Sequence, residues 1–135
     1  MKTLQLFLVD ATDEHHKLLG KRLQNPDSIR FAVTFSKAKE AEERYRDVAG
    51  QVDIVIVGIG ILPASVVRLT KMVRSYNPAV PVFVLTKNGD RKVPRSYATV
   101  GVDGTLDAGD MGTPLFVWSF ISTIEQVVLT KKAKE

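Results

Sequence analysis

Five stretches of the chain carry the hydrophobic patterns of β-strands. The runs at 54–57 (Ile-Val-Ile-Val) and 82–85 (Val-Phe-Val-Leu) are continuously apolar, which is typical of strands buried on both faces of a parallel sheet. Residues 31–35 (Phe-Ala-Val-Thr-Phe) alternate instead, as a strand at the edge of a sheet does. Residues 4–9 form a short, mostly apolar run that ends at an aspartate, and residues 104–106 predict a weak fifth strand.

Helical periodicity fills the intervals between these strands. The helices that it predicts cover residues 13–24, 37–49, 64–75, 91–99 and 114–131. Asp13 and Ser36 are the N-cap candidates of the first two helices, and Gly50 ends the second. The third helix is predicted to turn five apolar residues inward, namely Val66, Val67, Leu69, Met72 and Val73.

Strands and helices therefore alternate from one end of the chain to the other. Such alternation predicts a parallel sheet, because parallel strands are joined by right-handed crossovers through a helix. We predict an α/β fold of the flavodoxin-like type, a three-layer sandwich whose five-stranded parallel sheet has the strand order 2-1-3-4-5. In such a sheet, ligands bind beyond the carboxyl ends of the strands, which here lie at 10–13, 58–63, 86–90 and 107–110.

Composition narrows the classes of function. The 135 residues predict one domain over residues 1–130 and a basic tail at 131–135. The absence of cysteine excludes disulfides, zinc–thiolate sites, iron–sulfur clusters and thiol nucleophiles. Half of the net charge of +4 lies in the tail, so the remainder is too weak and dispersed to predict nucleic-acid binding. No apolar run approaches the roughly 18 to 20 residues of a membrane span, and we expect a cytoplasmic protein.

The strand ends carry motifs that together resemble the receiver domain of two-component response regulators. The matching segments are Leu8-Val9-Asp10, Asp53-Ile54-Val55-Ile56-Val57, Leu62-Pro63, Pro81-Val82-Phe83-Val84-Leu85-Thr86 and Gly101-Val102-Asp103-Gly104-Thr105-Leu106. The resemblance extends over nearly the whole chain, and the last two segments are its most specific part. It implies the receiver-like version of the fold predicted above and a role in signal transduction.

The resemblance also implies a phosphorylation site, of which this chain keeps two parts. In the family, an acidic pair after the first strand binds Mg²⁺, an aspartate ending the third strand accepts a phosphoryl group, and a hydroxyl and a lysine contact the phosphate. Asp10 matches the first acid and Thr86 matches the hydroxyl. The remaining positions have lost their chemistry: the second acid falls on Ala11, the acceptor on Gly58 (or Ile59, if the loop is aligned from Pro63), the lysine on Ala108, its following proline on Gly109 and the aromatic switch residue on Thr105.

These losses predict a pseudo-receiver that is not phosphorylated, is not an enzyme and needs no metal or cofactor. One carboxylate holds Mg²⁺ poorly because this ion demands near-octahedral oxygen ligands, and Asp13, which could substitute for the missing ligand, already has a role as a helix cap. Lys87 follows Thr86 at a position where the family usually has a small residue. Either its ammonium enters the vacated pocket and pairs with Asp10, which would mimic a fixed state, or Lys87 is a solvated loop residue.

We expect the module to act through protein–protein contact, with a protein partner or a second copy of itself. The last predicted helix carries more apolar surface than one face of a surface helix needs, and Trp118 and Phe120 are the candidate interface residues. The resemblance points the same way, because receiver domains commonly dimerise or dock partners through the last two helices and the last strand. In the other interpretation, both side chains belong to the core.

Two further functions stay open. A small-ligand sensor would hold an anion or a metabolite in the vacated pocket formed by Asp10, Gly58, Thr86 and Ala108. A cobalamin-binding domain is the other alternative, since residues 13–18 narrowly miss the D-x-H-x-x-G motif of that family, with Leu18 at the glycine position. The glycines after the third strand lack the spacing and the place of a dinucleotide fingerprint, and no P-loop motif occurs.

Overall fold

The structure, a computed structural model, describes residues 2–10, 17, 29–86, 94–108, 120–124 and 126. The predictions for Ala11, Asp13, Lys87 and Trp118 fall outside these residues. The same holds for the basic tail and, apart from Lys17, for the stretch compared with cobalamin-binding domains.

Five parallel strands form one sheet in the order β2-β1-β3-β4-β5, which confirms the predicted fold class and strand order. The strands are β1 Lys2–Asp10, β2 Ile29–Lys37, β3 Ile54–Val57, β4 Val82–Thr86 and β5 Gly104–Asp107. β1 and β2 pair residue by residue from Lys2 with Ile29 to Asp10 with Lys37. Both extend beyond the apolar runs that predicted them, because a backbone ladder also continues over polar residues.

Three helices are described in full between the strands: α1 Ala41–Val48, α2 Pro63–Tyr76 and α3 Arg95–Val100. Short 3₁₀ turns precede and follow α1. Residues 120–124 and 126 are also helical, within the last predicted helix. Among the described residues, no helix is long and apolar enough to cross a membrane.

The prediction of Ser36 as a helix cap is wrong. Ser36 lies inside β2 and is buried, and the first 3₁₀ turn begins after Lys37. The Ser36 hydroxyl donates to the Lys37 carbonyl at 3.0 Å, so it does not accept a bond from a helical N–H group. The strand ladder thus continues to the residue at which the sequence predicts the helix to start.

Alternating residues of the central strands divide the core into two layers, one on each face of the sheet. On one face, Phe7 and Val9 of β1 pack in a cluster with α1 and α2. On the other face, Leu6 and Leu8 pack in a cluster with the helical segment 120–124. Of the apolar residues predicted to face inward on α2, Val66, Leu69 and Val73 are buried, while Val67 and Met72 are partly buried.

Phe120 belongs to the second of these layers. Its side chain is 0% exposed and lies in the same cluster as Phe83 of β4 and Leu106 of β5. A residue at the sheet-facing side of a helix covers the apolar strands beneath it, so Phe120 is a core residue and the proposal of an exposed interface at Phe120 is wrong.

An arginine clamp closes the end of the sheet where β4 and β5 begin. Arg74, near the end of α2, pairs with Asp103 at 2.6 Å from Nη2 to Oδ2. Its guanidinium also donates to the carbonyls of Pro78, Val80 and Gly101. The Asp103 carboxylate in turn accepts from the Val82 N–H at 2.8 Å. One guanidinium thus joins the helix to the segments that lead into both strands.

Tyr45 of α1 places a polar atom inside the first core layer. Its ring is 0% exposed and packs edge-on against Phe7, with 5.3 Å between ring centroids, and against Tyr76 at 6.0 Å. Its hydroxyl has no hydrogen-bond partner among the described residues. Burial raises the pKa of this phenol, Tyr76 adds to the rise, and Arg74 opposes it.

Replacing Tyr45 with phenylalanine is expected to raise the free energy of unfolding by about 1 kcal/mol, since it removes a buried group without a partner among the described residues. Because the pKa of Tyr45 is raised in the folded chain, the unfolded chain loses the phenol proton at a lower pH than the folded chain does. The Tyr45 phenol therefore lowers the free energy of unfolding once the pH rises above the ordinary tyrosine pKa of about 10. The gain from Tyr45→Phe should therefore grow above that pH. Urea unfolding of the wild type and of Tyr45→Phe at neutral and alkaline pH measures this gain. A loss of stability in Tyr45→Phe at neutral pH would contradict the prediction.

Candidate functional site

The carboxyl ends of the parallel strands bring most of the predicted site residues to one edge of the sheet. β1 and β3 pair with Val9 opposite Val57, so Asp10 and Gly58 follow side by side. The next two strands end with Thr86 opposite Asp107, and Ala108 comes directly after. Ligand sites of such sheets lie at this edge.

Thr105 lies away from the tip of this edge. It pairs with Val84 inside the ladder between β4 and β5 and is half-buried. Thr105 thus places a short hydroxyl side chain within the strand.

Asp10 and Gly58 form the most tightly packed contact of the site. Asp10 is 2% exposed, and the Gly58 N–H donates to the Val9 carbonyl at 2.6 Å, which holds the two backbones together. A Cβ atom built on Gly58 would lie 2.5 Å from Oδ2 and 2.7 Å from Oδ1 of Asp10, below the 3.0 Å that real Cβ contacts respect. The Asp10 carboxylate thus occupies the volume where a side chain at position 58 would begin.

The loop after β3, residues 58–62, carries only glycine and aliphatic side chains. Ile59, the other position onto which the acceptor can be aligned, is partly buried against the second core layer. Gly60 then adopts a left-handed backbone with φ of 87°, a conformation that favours glycine. Leu62 is 71% exposed, and Pro63 starts α2 at a position suited to proline.

The polar groups described at the carboxyl ends of the strands are carboxylates and one hydroxyl. Asp10 and Asp107 supply oxygen atoms, Thr86 supplies a hydroxyl, and Ala108 presents only a methyl group. Lys37, opposite Asp10 in the ladder, is exposed. Among the described residues, no three His, Cys, Asp or Glu side chains are grouped as a metal site.

Comparison with known proteins identifies the fold. No protein-family model and no curated protein matches the chain. Among solved structures, the chain is similar to the chemotaxis response regulator CheY4 of Vibrio cholerae, with 16% identity over 90% of this chain and 98% of that one and a TM-score of 0.69. A receiver domain protein of Clostridium thermocellum gives 18% identity over 98% and 99% of the two chains and a TM-score of 0.62.

A third similar structure is the signal receiver domain of an HD domain-containing protein of Pseudomonas fluorescens, with 15% identity over 98% and 99% of the two chains and a TM-score of 0.65. These likenesses extend over nearly the full length of both chains at low identity. The chain therefore has the fold of response-regulator receiver domains.

Two features of this region were not predicted from the sequence. The contact between the Asp10 carboxylate and the Gly58 backbone depends on a side-chain orientation that no motif specifies. The packing of Ile59 into the second core layer is the other, although its apolar character next to a buried strand is a signal in that direction.

Proposed function

We propose that this chain is a non-phosphorylatable pseudo-receiver that acts as a protein–protein interaction or dimerisation module in signal transduction. The observation that carries the proposal is the contact between Asp10 and Gly58. Glycine has no side chain to phosphorylate, and the neighbouring carboxylate fills the volume that an acceptor side chain would need.

The loss of the lysine supports the same conclusion. Phosphoryl transfer depends on a positioned nucleophile and on positive charge that stabilises the transferred group. Gly58 provides no nucleophile, and Ala108 provides no cation. The proposal therefore includes no catalysis and no resident metal, and the domain would take its active conformation when a partner binds the conformation it prefers.

An anion sensor has less support from this edge of the sheet. Asp10, one of the residues predicted to line the vacated pocket, is a buried carboxylate, and a carboxylate repels an anion at short range. We further propose that the protein works in the cytoplasm, without binding nucleic acid or a membrane through this domain.

The proposal predicts that a small acyl phosphate with Mg²⁺ leaves the mass of the wild-type chain unchanged. The reason is that no carboxylate stands at the acceptor position, so the phosphoryl group has no nucleophile to attack it. Intact mass spectrometry after incubation provides the measurement, and a receiver domain that has its acceptor aspartate serves as the positive control. A gain of one phosphoryl group that hydroxylamine removes would overturn the proposal, because it would reveal an acyl phosphate on this chain.

A further inference from the structure

β2 is the long strand at one edge of the sheet. It has nine residues, all paired with β1 on one side, and among the described strands none pairs with its other side. At roughly 3.3 Å per residue, the strand is about 30 Å long. An edge strand is a template for another strand, because its outward backbone groups can continue the ladder.

β2 itself lacks the devices by which proteins usually protect such edges. The nine pairs with β1 keep one constant offset, so no bulge interrupts the strand. Residues 29–37 contain no proline and no glycine, and their charged residues are confined to positions 30 and 37. Natural edge strands are commonly short, bulged, or interrupted by lysine or proline. Protection of the middle of β2 therefore has to come from outside the strand.

Arg44 of α1 reaches this edge from the neighbouring helix. Its Nη1 donates to the Phe35 carbonyl of β2 at 3.1 Å. Its Nε lies 3.6 Å from Oε2 of Glu40, so a hydrogen bond and an ion pair together fix the orientation of one guanidinium. Glu40 ends the 3₁₀ turn that connects β2 to α1. The guanidinium thus contacts the strand backbone and is held there by an acid of the connecting segment.

We propose that Arg44 blocks strand addition at β2 by a second copy of this chain. A strand that pairs with the middle of β2 needs the Phe35 carbonyl as an acceptor, and Arg44 already occupies it. The incoming strand would have to exchange a charge-assisted hydrogen bond for an ordinary amide one and separate Arg44 from Glu40. The inference goes beyond the proposed function and does not depend on it. It directs the partner contact of the domain to a surface other than this edge.

The exposure of the pair separates this role from a role in folding. The side chains of Arg44 and Glu40 are 54% and 49% exposed, and exposed ion pairs contribute little to the stability of a fold. Loss of Arg44 should therefore change the association of the chain and leave its melting temperature nearly unchanged. A purely structural contact predicts the opposite pair of results.

Arg44→Ala is expected to make the chain associate. Sedimentation velocity over a range of concentrations should show a species of at least twice the wild-type mass, at a concentration about tenfold or more below the one that the wild type requires, because a hydrogen bond to a charged group no longer has to be broken. Arg46→Ala is the matched control. Arg46 is exposed on the same helix, carries the same charge and makes no hydrogen bond or ion pair with the described residues. Equal association of the wild type and Arg44→Ala would overturn the inference.

A second substitution tests whether the association uses β2. Thr34 is exposed in the middle of the strand, and a lysine in an edge strand opposes the addition of another strand. Thr34→Lys in the Arg44→Ala background should therefore restore the behaviour of the wild type, whereas Thr99→Lys on α3 should not. Failure of Thr34→Lys to restore it would place the association on another surface and overturn the inference. So would a wild-type chain that associates and that Thr34→Lys alone makes monomeric, since β2 would then be open in the presence of Arg44.

Thermal unfolding of the dilute variants provides the last test. The melting temperatures of Arg44→Ala and Arg46→Ala should agree within about 3 °C. A larger drop for Arg44→Ala, with or without association, would show that the contact serves the fold and would overturn the inference. All of these outcomes are independent of the phosphorylation test, which concerns the Gly58 region only.

Discussion

Replacing Arg74 with alanine is expected to lower the free energy of unfolding by about 2 to 4 kcal/mol. The guanidinium makes four contacts at once: with the Asp103 carboxylate and with the carbonyls of Pro78, Val80 and Gly101. The side chains of Arg74 and Asp103 are 18% and 17% exposed, so water replaces few of the lost bonds. Urea unfolding followed by circular dichroism measures the loss.

Arg68, on the same helix, provides a matched control. Its ion pair with Glu42 has a separation of 3.6 Å and its side chain is 70% exposed. Exposed pairs of this kind contribute little, so Arg68→Ala should cost less than about 0.5 kcal/mol. Equal effects of Arg68→Ala and Arg74→Ala would show that the clamp does not stabilise the fold.

A double-mutant cycle with Asp103 isolates the ion pair itself. Asp103→Ala removes the acceptor of both Arg74 and the Val82 N–H, while Asp103→Asn keeps an oxygen for Val82. We expect a coupling energy between Arg74 and Asp103 of about 1 to 2 kcal/mol, and a smaller loss for Asp103→Asn than for Asp103→Ala. Additive effects of the two alanine substitutions would contradict a direct pair.

The buried and edge strands were predictable from the period of the apolar residues, and the strand order from the flavodoxin-like arrangement that alternating strands and helices fit. The continuous run at 54–57 can only be buried on both faces, and the alternating run at 31–35 suits an edge, and both strands lie where these patterns place them. The start of the helix after β2 was not predictable from Ser36, since a serine suits both a cap and a strand end. The ladder with β1 decides between them.

Contacts between residues distant in sequence were not predicted, because the local sequence around each residue does not specify its partner. Arg74 and Asp103 are 29 residues apart, and the local sequence around Asp103 is that of an ordinary turn aspartate. Tyr45 lies on a helix that is otherwise largely polar, and only the packing of Phe7 and Tyr76 around its ring shows that it is buried. The sequence is compatible with Phe120 in the core or on the surface. The structure places it in the second core layer.

The candidate site was predictable in its location but not in its contacts. The order of the strands brings Asp10, Gly58, Thr86 and Ala108 to one edge, as the motifs imply. The motifs align the acceptor position with Gly58, or with Ile59 if the loop is aligned from Pro63, and this alignment stays a prediction. They do not reveal that Asp10 covers Gly58, because this depends on the rotamer of one buried carboxylate.

This contact predicts that a side chain at position 58 is costly for as long as Asp10 is present. Gly58→Ala should lower the free energy of unfolding by about 2 to 3 kcal/mol, because its Cβ would lie 2.5 Å from Oδ2 of Asp10 in a packed site. Gly50→Ala is the matched control: a Cβ there meets no atom within 4 Å, and we expect a change within about 0.5 kcal/mol.

The cost of Gly58→Ala should depend on the shape of residue 10. With Asp10→Ala, most of the cost should disappear, which corresponds to a coupling energy of about 2 kcal/mol, whereas Asp10→Asn should keep it, because the amide has the same shape without the charge. Urea unfolding of the single and double variants provides the measurement. If Gly58→Ala costs the same in the wild-type chain and in the Asp10→Ala background, the contact does not exclude a side chain. If the cost disappears in the Asp10→Ala background, Gly58→Asp alone should also be destabilising, because the Asp10 carboxylate would occupy the volume of the new side chain.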